Sequence, residues 1–377
     1  MSPYGLLLLG GSQTHQENYA RSFAADPRCR LIGVTDEADV PPRRRSLNER
    51  LAGELGIPHF DDLDDALARE DVHLVSVCVE PERRGRVAVR CAQAGKHLYL
   101  DKPLAAGVGD ARQIVTAVRE QGVLSQMFSL VQSSVAGRAR EAWESGRLGK
   151  PIGLHCELMF AKGFAGTADL SRPRHETAGP KRFTWIDSKR ELFCVGLYPL
   201  VLFQWLSGQQ VESVHAVTAN YFFADHQRND AEDFACLLLG YAGGLEATIT
   251  VGRTGWLSHP RDGIHQVHLV GSDRSVKIDA WQPRLEVYSN ESCWKPPSRP
   301  HPEDPMGFWS STAREAGIKP KTAWQPINSI AGSDASGFLD CIEQQRESAV
   351  SAAIGAHAVE VIMAAYRSAA QGRAVLL

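Results

Sequence analysis

Short apolar runs alternate with amphipathic segments along the first 128 residues of the chain. The runs have the length and residue types of buried strands, and they cover residues 6–9, 31–35, 72–79, 98–100 and 123–128. The segments between them repeat their apolar positions at helical spacing, over residues 16–25, 46–55, 63–69, 83–94 and 111–121. Strands that alternate with helices indicate βαβ units. We therefore predict an α/β domain with a doubly wound parallel sheet that carries helices on both faces.

The pattern changes near Gly149-Lys150-Pro151, after which strand-like segments dominate. They cover residues 152–160, 211–223, 234–241, 245–250, 265–270 and 275–279, and glycine-containing turns typical of hairpins lie between several of them. An irregular stretch from Trp281 to Pro326 follows, and two helices, at 335–345 and 351–371, close the chain. We predict a first domain over residues 1–128 and a second α/β domain over 129–377 with a large, mostly antiparallel open sheet. The last helices could pack back on the first domain.

Composition and charge restrict the class of protein. A chain of 377 residues is long enough for about two domains. Its net charge of −3 argues against nucleic acid or an anionic membrane as a partner, and no apolar run approaches the roughly 18 residues of a membrane span. The first residues lack the features of a signal peptide, and the scattered cysteines and histidines lack the spacing of a disulfide framework or a metal site. We expect a cytoplasmic protein that needs no metal.

The run HLYL ends abruptly in Asp101-Lys102-Pro103, and this end is the first candidate for chemistry. Proline fixes its own φ and disfavours the α region for the residue before it, so the strand should stop in an extended turn. A carboxylate and an amine then lie at the carboxyl end of a parallel strand, the edge at which open α/β sheets bind ligands. Lys102 could hold a substrate hydroxyl or carry a proton. The alternative is an ordinary turn with solvated charges.

The turn after the first strand, Gly10-Gly11-Ser12-Gln13-Thr14-His15, is a candidate dinucleotide-binding turn. A G-x-G-x-x-G fingerprint lets the backbone approach a pyrophosphate at a helix N-terminus. Here Ser12 and His15 stand where the second and third glycines would fall. A strand-to-helix turn without a ligand is the alternative interpretation.

Asp36 directly follows the second strand, about where an acidic residue would bind a ribose 2′-hydroxyl. This position favours NAD over NADP. The basic run Arg43-Arg44-Arg45 follows closely and could meet a 2′-phosphate, although a solvated helix start is the simpler explanation. NADP therefore stays possible.

Residues 191–208 form a strongly apolar segment whose spacing predicts a buried helix that ends at Gly208. Tyr198 is the one tyrosine in this segment. The pKa of a tyrosine falls when an ammonium lies nearby, which suits proton transfer to and from a sugar hydroxyl. The alternative is a tyrosine that packs by its ring and uses its hydroxyl in one hydrogen bond.

Taken together, these motifs resemble the Gfo/Idh/MocA oxidoreductases, a family that includes glucose–fructose oxidoreductase and inositol dehydrogenase. The sharpest match is AGKHLYLDKPLA, residues 94–105, which is similar to the family's A-G-K-H-V-x-x-E-K-P-L-A. Gly196-Leu-Tyr198-Pro199 with the later WLSG is similar to the family's D-x-G-x-[HY]-P…W-L-x-G segment. Departures occur at Ser12 and His15 in the glycine turn, at Glu80 and Gly85 in the family's T-P-x-x-x-H segment, at Asp101 for glutamate and at Cys194 for aspartate.

The resemblance implies a Rossmann domain that carries NAD or NADP, and a second domain whose open sheet covers the active site and commonly forms a dimer interface. It implies hydride transfer between nicotinamide and a sugar or cyclitol carbon, with Lys102 and Tyr198 as catalytic residues. The cofactor contacts that it implies are Gly10, Gly11, Ser12, Gln13, Thr14, His15, Asp36, Glu80, Pro81, Arg84, Asp101 and Lys102. We expect a homo-oligomer, either a dimer or a tetramer, that acts on a small carbohydrate or cyclitol.

Two other functions are compatible with the same scaffold. An enzyme could use bound NAD to oxidise a sugar transiently, eliminate a glycosidic substituent and reduce the product again, so that no net NADH appears. A binding or regulatory protein without catalytic activity is the second possibility, suggested by the altered glycine turn and by Cys194.

Overall fold

The computed structural model describes residues 3–12, 14–161, 166–172, 174–185, 187–254, 263–280, 284–289, 321–324 and 333–377. The chain divides into two compact units. The first contains residues 1–129 and 332–360, and the second contains residues 130–331 and 361–377.

The first unit begins with alternating strands and helices. In chain order they are β1 (Tyr4–Leu9), α1 (Gln16–Ala24), β2 (Cys29–Thr35), α2 (Pro42–Leu55), α3 (Leu63–Leu67), β3 (Leu74–Val77), α4 (Pro81–Gln93), β4 (His97–Leu100), α5 (Val108–Gln121) and β5 (Ser125–Met127). In the described part of this unit five parallel strands form one sheet in the order β2-β1-β3-β4-β5. Leu6 to Leu9 are completely buried, as a strand covered on both faces requires. The predicted doubly wound α/β domain is confirmed.

The second unit is dominated by strands. Its elements up to residue 324 are α6 (Ser134–Glu144), β6 (Pro151–Phe160), α7 (Glu191–Val195), α8 (Leu197–Ser207), β7 (Val211–Ala219), α9 (Ala224–Arg228), β8 (Phe234–Tyr241), β9 (Glu246–Arg253), β10 (Gly263–Gly271), β11 (Arg274–Asp279), β12 (Arg284–Ser289) and β13 (Lys321–Trp324). The chain closes with α10 (Asp334–Glu343), α11 (Ala352–Gln371) and β14 (Val375–Leu376).

Nine strands of the described residues form the sheet of the second unit, in the order β13-β12-β11-β10-β6-β9-β8-β7-β14. Neighbouring strands are antiparallel except for β6 and β9, which run parallel. The predicted mostly antiparallel sheet is therefore confirmed. Within these residues no helix is both long and apolar enough to cross a membrane.

Three local predictions needed correction. β7 ends at Ala219 rather than at residue 223, because the Asp233 carboxylate accepts the backbone N–H groups of Tyr221, Phe222 and Phe223 and draws them out of the strand ladder. The helix over 191–208 is two helices, since Pro199 has no N–H to bond the carbonyl of Val195. The stretch 281–326 contains β12 and β13, and its other residues lie outside the described ones.

The helix α10 belongs to the first unit and completes its hydrophobic core. Phe338, Leu339 and Ile342 are buried in one cluster with Leu6 of β1 and Tyr19 of α1. Arg28, in the turn before β2, reinforces the contact through its guanidinium, which donates to the carboxylates of Asp340 and Glu343. The first parallel sheet is thus covered partly by a segment more than 200 residues away in the sequence.

Asp334, at the start of α10, makes the stability of this unit depend on pH. Its partly buried carboxylate accepts the Tyr99 hydroxyl at 2.7 Å and Gln126 Nε2 at 3.0 Å. Burial outweighs these two bonds and raises its pKa to about 6. The folded state then binds this proton more tightly than the unfolded chain does. The free energy of unfolding therefore falls, through this group, as the pH rises from about 4 to about 6.

We predict that Asp334→Asn gains stability relative to the wild type over this pH window, by roughly 3 kcal/mol, and that the difference is constant above it. Urea unfolding at a series of pH values measures the difference. Glu347→Gln, which neutralises an exposed acid of the same unit, is the control and should show no such rise. A difference for Asp334→Asn that is flat between pH 4 and pH 7 would contradict the role of burial.

Candidate active site

The carboxyl ends of β1 and β3 are tied to the first residue of α1 by a buried side chain. Gln16 Nε2 donates to the carbonyls of Leu9 at 3.4 Å and Ser76 at 3.0 Å, and Gln16 Oε1 accepts the Ser76 hydroxyl at 2.8 Å. The turn of residues 10–15 is therefore fixed at the carboxyl edge of the parallel sheet, where ligands bind in open α/β folds.

The glycine turn itself is tight and leaves one hydroxyl available. Gly10 has a φ of +88°, and a Cβ there would lie 3.0 Å from the carbonyl oxygen of Cys78, so a side chain is excluded. Thr14 Oγ1 donates to the carbonyl of Gly11 at 2.8 Å and accepts the N–H of Gln16 at 3.0 Å. Ser12 Oγ is buried and has no hydrogen-bond partner among the described residues. A buried hydroxyl without a partner at a helix start fits a phosphate oxygen.

Gln13, a predicted cofactor contact, lies outside the described residues. Thr14, the next residue, stabilises the turn through the two hydrogen bonds of its hydroxyl. The predicted cofactor contact of Thr14 stays a prediction.

The Asp101 carboxylate has three side-chain partners at this edge. Its Oδ1 accepts the Tyr19 hydroxyl at 2.6 Å and lies 2.9 Å from His15 Nδ1, while its Oδ2 accepts Arg84 Nη2 at 3.1 Å. Burial opposes its ionisation, but the Arg84 guanidinium and His15 hold the pKa of Asp101 below its usual value. The residue before Lys102 therefore carries a fixed negative charge.

Arg84 holds the turn around Lys102 in place. Its side chain is 1% exposed. Its guanidinium donates to the carbonyls of Val79, Asp101 and Pro103 as well as to the Asp101 carboxylate. These bonds engage all five N–H groups of an arginine. The predicted cofactor contact of Arg84 is therefore not supported by its geometry, and we assign it a positioning role.

Asp36 lies at the end of β2, as predicted, but its carboxylate forms an ion pair with an arginine. Arg83 Nη1 lies 2.6 Å from Asp36 Oδ1 and Arg83 Nη2 lies 3.0 Å from Oδ2, so the pair is bidentate. Glu80 is the N-cap of α4, with Pro81 at its first position, and the Glu80 carboxylate accepts Arg83 Nε at 2.7 Å. The sequence reasoning did not identify Arg83.

In the basic run at the start of α2, Arg44 and Arg45 bond to groups of the protein. Arg44 donates to Glu80 Oε1 at 3.1 Å and to the carbonyl of Ser12 at 3.1 Å, and Arg45 donates to Asp61 at 3.0 Å. The Arg44 bonds connect the glycine turn to the start of α4. The predicted cofactor contact of Glu80 stays a prediction.

Tyr198 lies in the first turn of α8, in the second unit. Of residues 191–204 it is the one whose side chain is not buried, while Cys194 on α7 is buried. The role of Tyr198 in proton transfer therefore stays a prediction.

A buried ionic network fixes α7 and, through it, the start of α8. The Glu232 carboxylate accepts the Tyr366 hydroxyl at 2.6 Å, the N–H of Leu192 at 3.1 Å and Arg190 Nη1 at 3.1 Å. Glu191, the first residue of α7, accepts Arg253 Nε from the end of β9 at 2.7 Å. Within the described residues no group of histidine, cysteine and acidic side chains is arranged to hold a metal ion.

Comparison with known proteins agrees with this architecture. A family model described as the GFO/IDH/MocA oxidoreductase family with an NAD-binding Rossmann fold matches residues 6–129, and the model of the GFO/IDH/MocA C-terminal domain matches residues 137–277. The crystal structure of GenD2 from gentamicin A biosynthesis, in complex with NAD, is similar with a TM-score of 0.72 and 23% identity, over 100% of this chain and 97% of that one.

Two curated relatives are similar to parts of the chain. The chain is 24% identical to scyllo-inositol 2-dehydrogenase (NAD(+)) of Bacillus subtilis over 70% of its own length and 69% of that enzyme. It is 35% identical to 1,5-anhydro-D-fructose reductase of Ensifer adhaerens, but the match covers only 24% of this chain and 27% of that protein.

Proposed function

Because the chain belongs to the Gfo/Idh/MocA family of NAD-binding oxidoreductases, we propose that it transfers a hydride between a nicotinamide dinucleotide and a hydroxyl- or keto-bearing carbon of a sugar or cyclitol. The names of the two curated relatives, an inositol dehydrogenase and an anhydrofructose reductase, support this substrate class.

The observation that carries the proposal is the fixed position of Lys102. It follows Asp101, whose carboxylate is held by Tyr19, His15 and Arg84 at the carboxyl end of β4. An ordinary solvated turn does not need three side-chain bonds on one buried carboxylate. The fixed turn beside Lys102 supports a chemical role for its amine.

The residues of the first unit fit a dinucleotide. The Ser12 hydroxyl and the N-terminus of α1 would hold its phosphates, and the end of β2 at Asp36 would lie at its adenosine ribose. When bound, the dinucleotide supplies a nicotinamide carbon that gives or accepts a hydride, which protein side chains cannot do.

Lys102 and Tyr198 would handle the proton of the substrate. The Lys102 ammonium donates a hydrogen bond to the oxygen of the reacting carbon and stabilises negative charge that develops there. The Tyr198 side chain accepts the substrate hydroxyl proton as a phenolate during oxidation and returns it as a phenol during reduction. The negative charge of Asp101 attracts the Lys102 ammonium, which suits the first role.

The test is a screen of polyols and sugars with NAD and NADP, followed by the absorbance of the reduced nicotinamide. We expect turnover on at least one substrate. Tyr198→Phe, which removes only the hydroxyl, should lower kcat about tenfold or more with Lys102 still present. Tyr221→Phe, at an exposed tyrosine of the same unit, is the matched control and should retain full activity. Cleavage of a glycoside without net NADH, or no dinucleotide binding by folded protein, would contradict the proposal.

A further inference from the structure

The carboxylate of Asp36 is fully used by the protein. Its Oδ1 accepts Arg83 Nη1 at 2.6 Å and the N–H of Glu37 at 2.9 Å, and its Oδ2 accepts Arg83 Nη2 at 3.0 Å and Asn48 Nδ2 at 2.9 Å. A carboxylate offers about four acceptor positions, so all are occupied. The side chain is 3% exposed. A ribose hydroxyl could bond Asp36 only if an Arg83 bond were given up.

Arg83 lies at the centre of this cluster. Besides the bidentate pair with Asp36, its Nη1 is 3.0 Å from Glu37 Oε2 and its Nε is 2.7 Å from Glu80 Oε2. Its side chain remains 14% exposed, so a ligand at the end of β2 can reach it. These carboxylates raise the pKa of Arg83 further above its ordinary value against the effect of burial. The guanidinium is therefore always charged.

The cluster is neutral as a whole, unlike an isolated acidic residue at the same position. Its carboxylates, from Asp36, Glu37 and Glu80, are matched by the guanidinium groups of Arg44, Arg83 and Arg86. An unpaired carboxylate at the end of β2 would repel a phosphate on the ribose 2′-oxygen and favour NAD. In this chain the paired arginines cancel that repulsion. The planar guanidinium of Arg83, which is suited to bidentate phosphate binding, lies beside the Asp36 carboxylate.

We propose that Arg83 determines specificity at the ribose 2′ position, and that it makes this protein accept NADP as well as NAD. The inference rests on the proposed function, which puts the adenosine ribose at Asp36. With NADP, the 2′-phosphate shares the Arg83 guanidinium with Asp36. With NAD, the 2′-hydroxyl gains an acceptor on Asp36 only at the expense of one Arg83 bond, so NAD loses the advantage that an acidic residue normally confers.

Two substitutions should shift the preference in opposite directions. Arg83→Gln leaves the Asp36 carboxylate charged and without its two bonds from Arg83. We therefore expect the ratio of the NADP to the NAD dissociation constant to rise at least tenfold. Asp36→Asn removes the negative charge and frees Arg83, so the same ratio should fall severalfold. Calorimetric titration of each purified protein with NAD and with NADP, at one fixed salt concentration, measures both constants without any substrate.

Arg86→Gln is the matched control for charge. Arg86 belongs to the same helix, is 57% exposed and pairs with Glu37 rather than with Asp36. Loss of Arg86 should change the ratio of dissociation constants less than threefold. If only net charge mattered, Arg86→Gln would instead change the ratio as much as Arg83→Gln does.

Arg83→Lys keeps the positive charge but lacks the planar guanidinium, so its ratio should lie between those of the wild type and Arg83→Gln. Thermal unfolding of each variant establishes that it is folded.

The outcomes separate this inference from the proposed function. Wild-type protein that binds NAD but excludes NADP by more than a hundredfold would overturn the inference alone, as would a ratio that neither Arg83→Gln nor Asp36→Asn changes. Folded wild-type protein that binds neither dinucleotide would overturn the proposed function and the inference with it.

Discussion

Replacing Lys102 with alanine is expected to lower kcat/KM at least a hundredfold. The loss corresponds to about 3 kcal/mol of transition-state stabilisation, which is the scale of a positioned proton-transfer or charge-stabilising group. The physical reason is the position of the amine, which follows a carboxylate anchored by Tyr19, His15 and Arg84 at the end of β4. Steady-state kinetics on the best substrate of the screen, in both directions of the reaction, measure the effect.

Lys96→Ala provides the matched control for Lys102→Ala. Lys96 lies just before β4, at the opposite end of the same strand, and donates to the carbonyls of Arg69 and Val72. Its loss should leave kcat/KM within about twofold of the wild type. The dinucleotide dissociation constant of each variant shows whether binding or chemistry is affected. A Lys102→Ala enzyme within a factor of a few of the wild type would rule out the catalytic role.

The fold could be predicted from the sequence because its strongest signals are local. The continuous apolar run Leu6 to Leu9 has no polar alternation, which is the signature of a strand buried on both faces, and it forms the interior strand β1. Ends of strands that are set by residues distant in the sequence were not predicted. The end of β7 at Ala219 is decided by the Asp233 carboxylate, which no local pattern near residue 219 reveals.

The candidate site shows the same division between local and distant information. The strand end at Asp101-Lys102 is visible in the sequence because proline terminates the strand. By contrast, Arg83 and Arg84 are identical neighbours in the sequence and have unrelated roles. Successive residues on a helix point about 100° apart, so Arg83 reaches Asp36 while Arg84 points inward to Asp101. Only the placement of α4 against the sheet distinguishes them.

Two departures from the family pattern are also connected in space. His15 replaces the third glycine of the fingerprint, and Asp101 replaces the usual glutamate. In the structure His15 Nδ1 lies 2.9 Å from Asp101 Oδ1, so the imidazole is a partner of the carboxylate beside Lys102. A comparison made position by position treats them as separate losses. In the structure the two side chains are partners.

The largest effect on stability is expected for Arg84→Met. Methionine has a similar length but no donor, so the variant leaves the carbonyls of Val79 and Pro103 without this partner and removes the positive charge beside the buried Asp101 carboxylate. Loss of one partner of a buried ion pair typically costs about 3–5 kcal/mol, because the remaining charge stays out of water. Urea unfolding at pH 7 should show a decrease in the free energy of unfolding of this size.

The matched control for Arg84→Met is Arg112→Met on the adjacent helix α5. The Arg112 side chain is 68% exposed and pairs with Glu360 on the surface, so its loss should cost less than about 1 kcal/mol.

The loss of unfolding free energy in Arg84→Met, relative to the wild type, should also become smaller as the pH falls towards 4. The Asp101 carboxylate has a lowered pKa in the wild type, so its contribution is present at neutral pH and is lost in acid. In the variant, protonation of Asp101 relieves the unpaired charge. A deficit below about 1 kcal/mol, or one that widens in acid, would mean that Arg84 does not anchor the turn that carries Lys102.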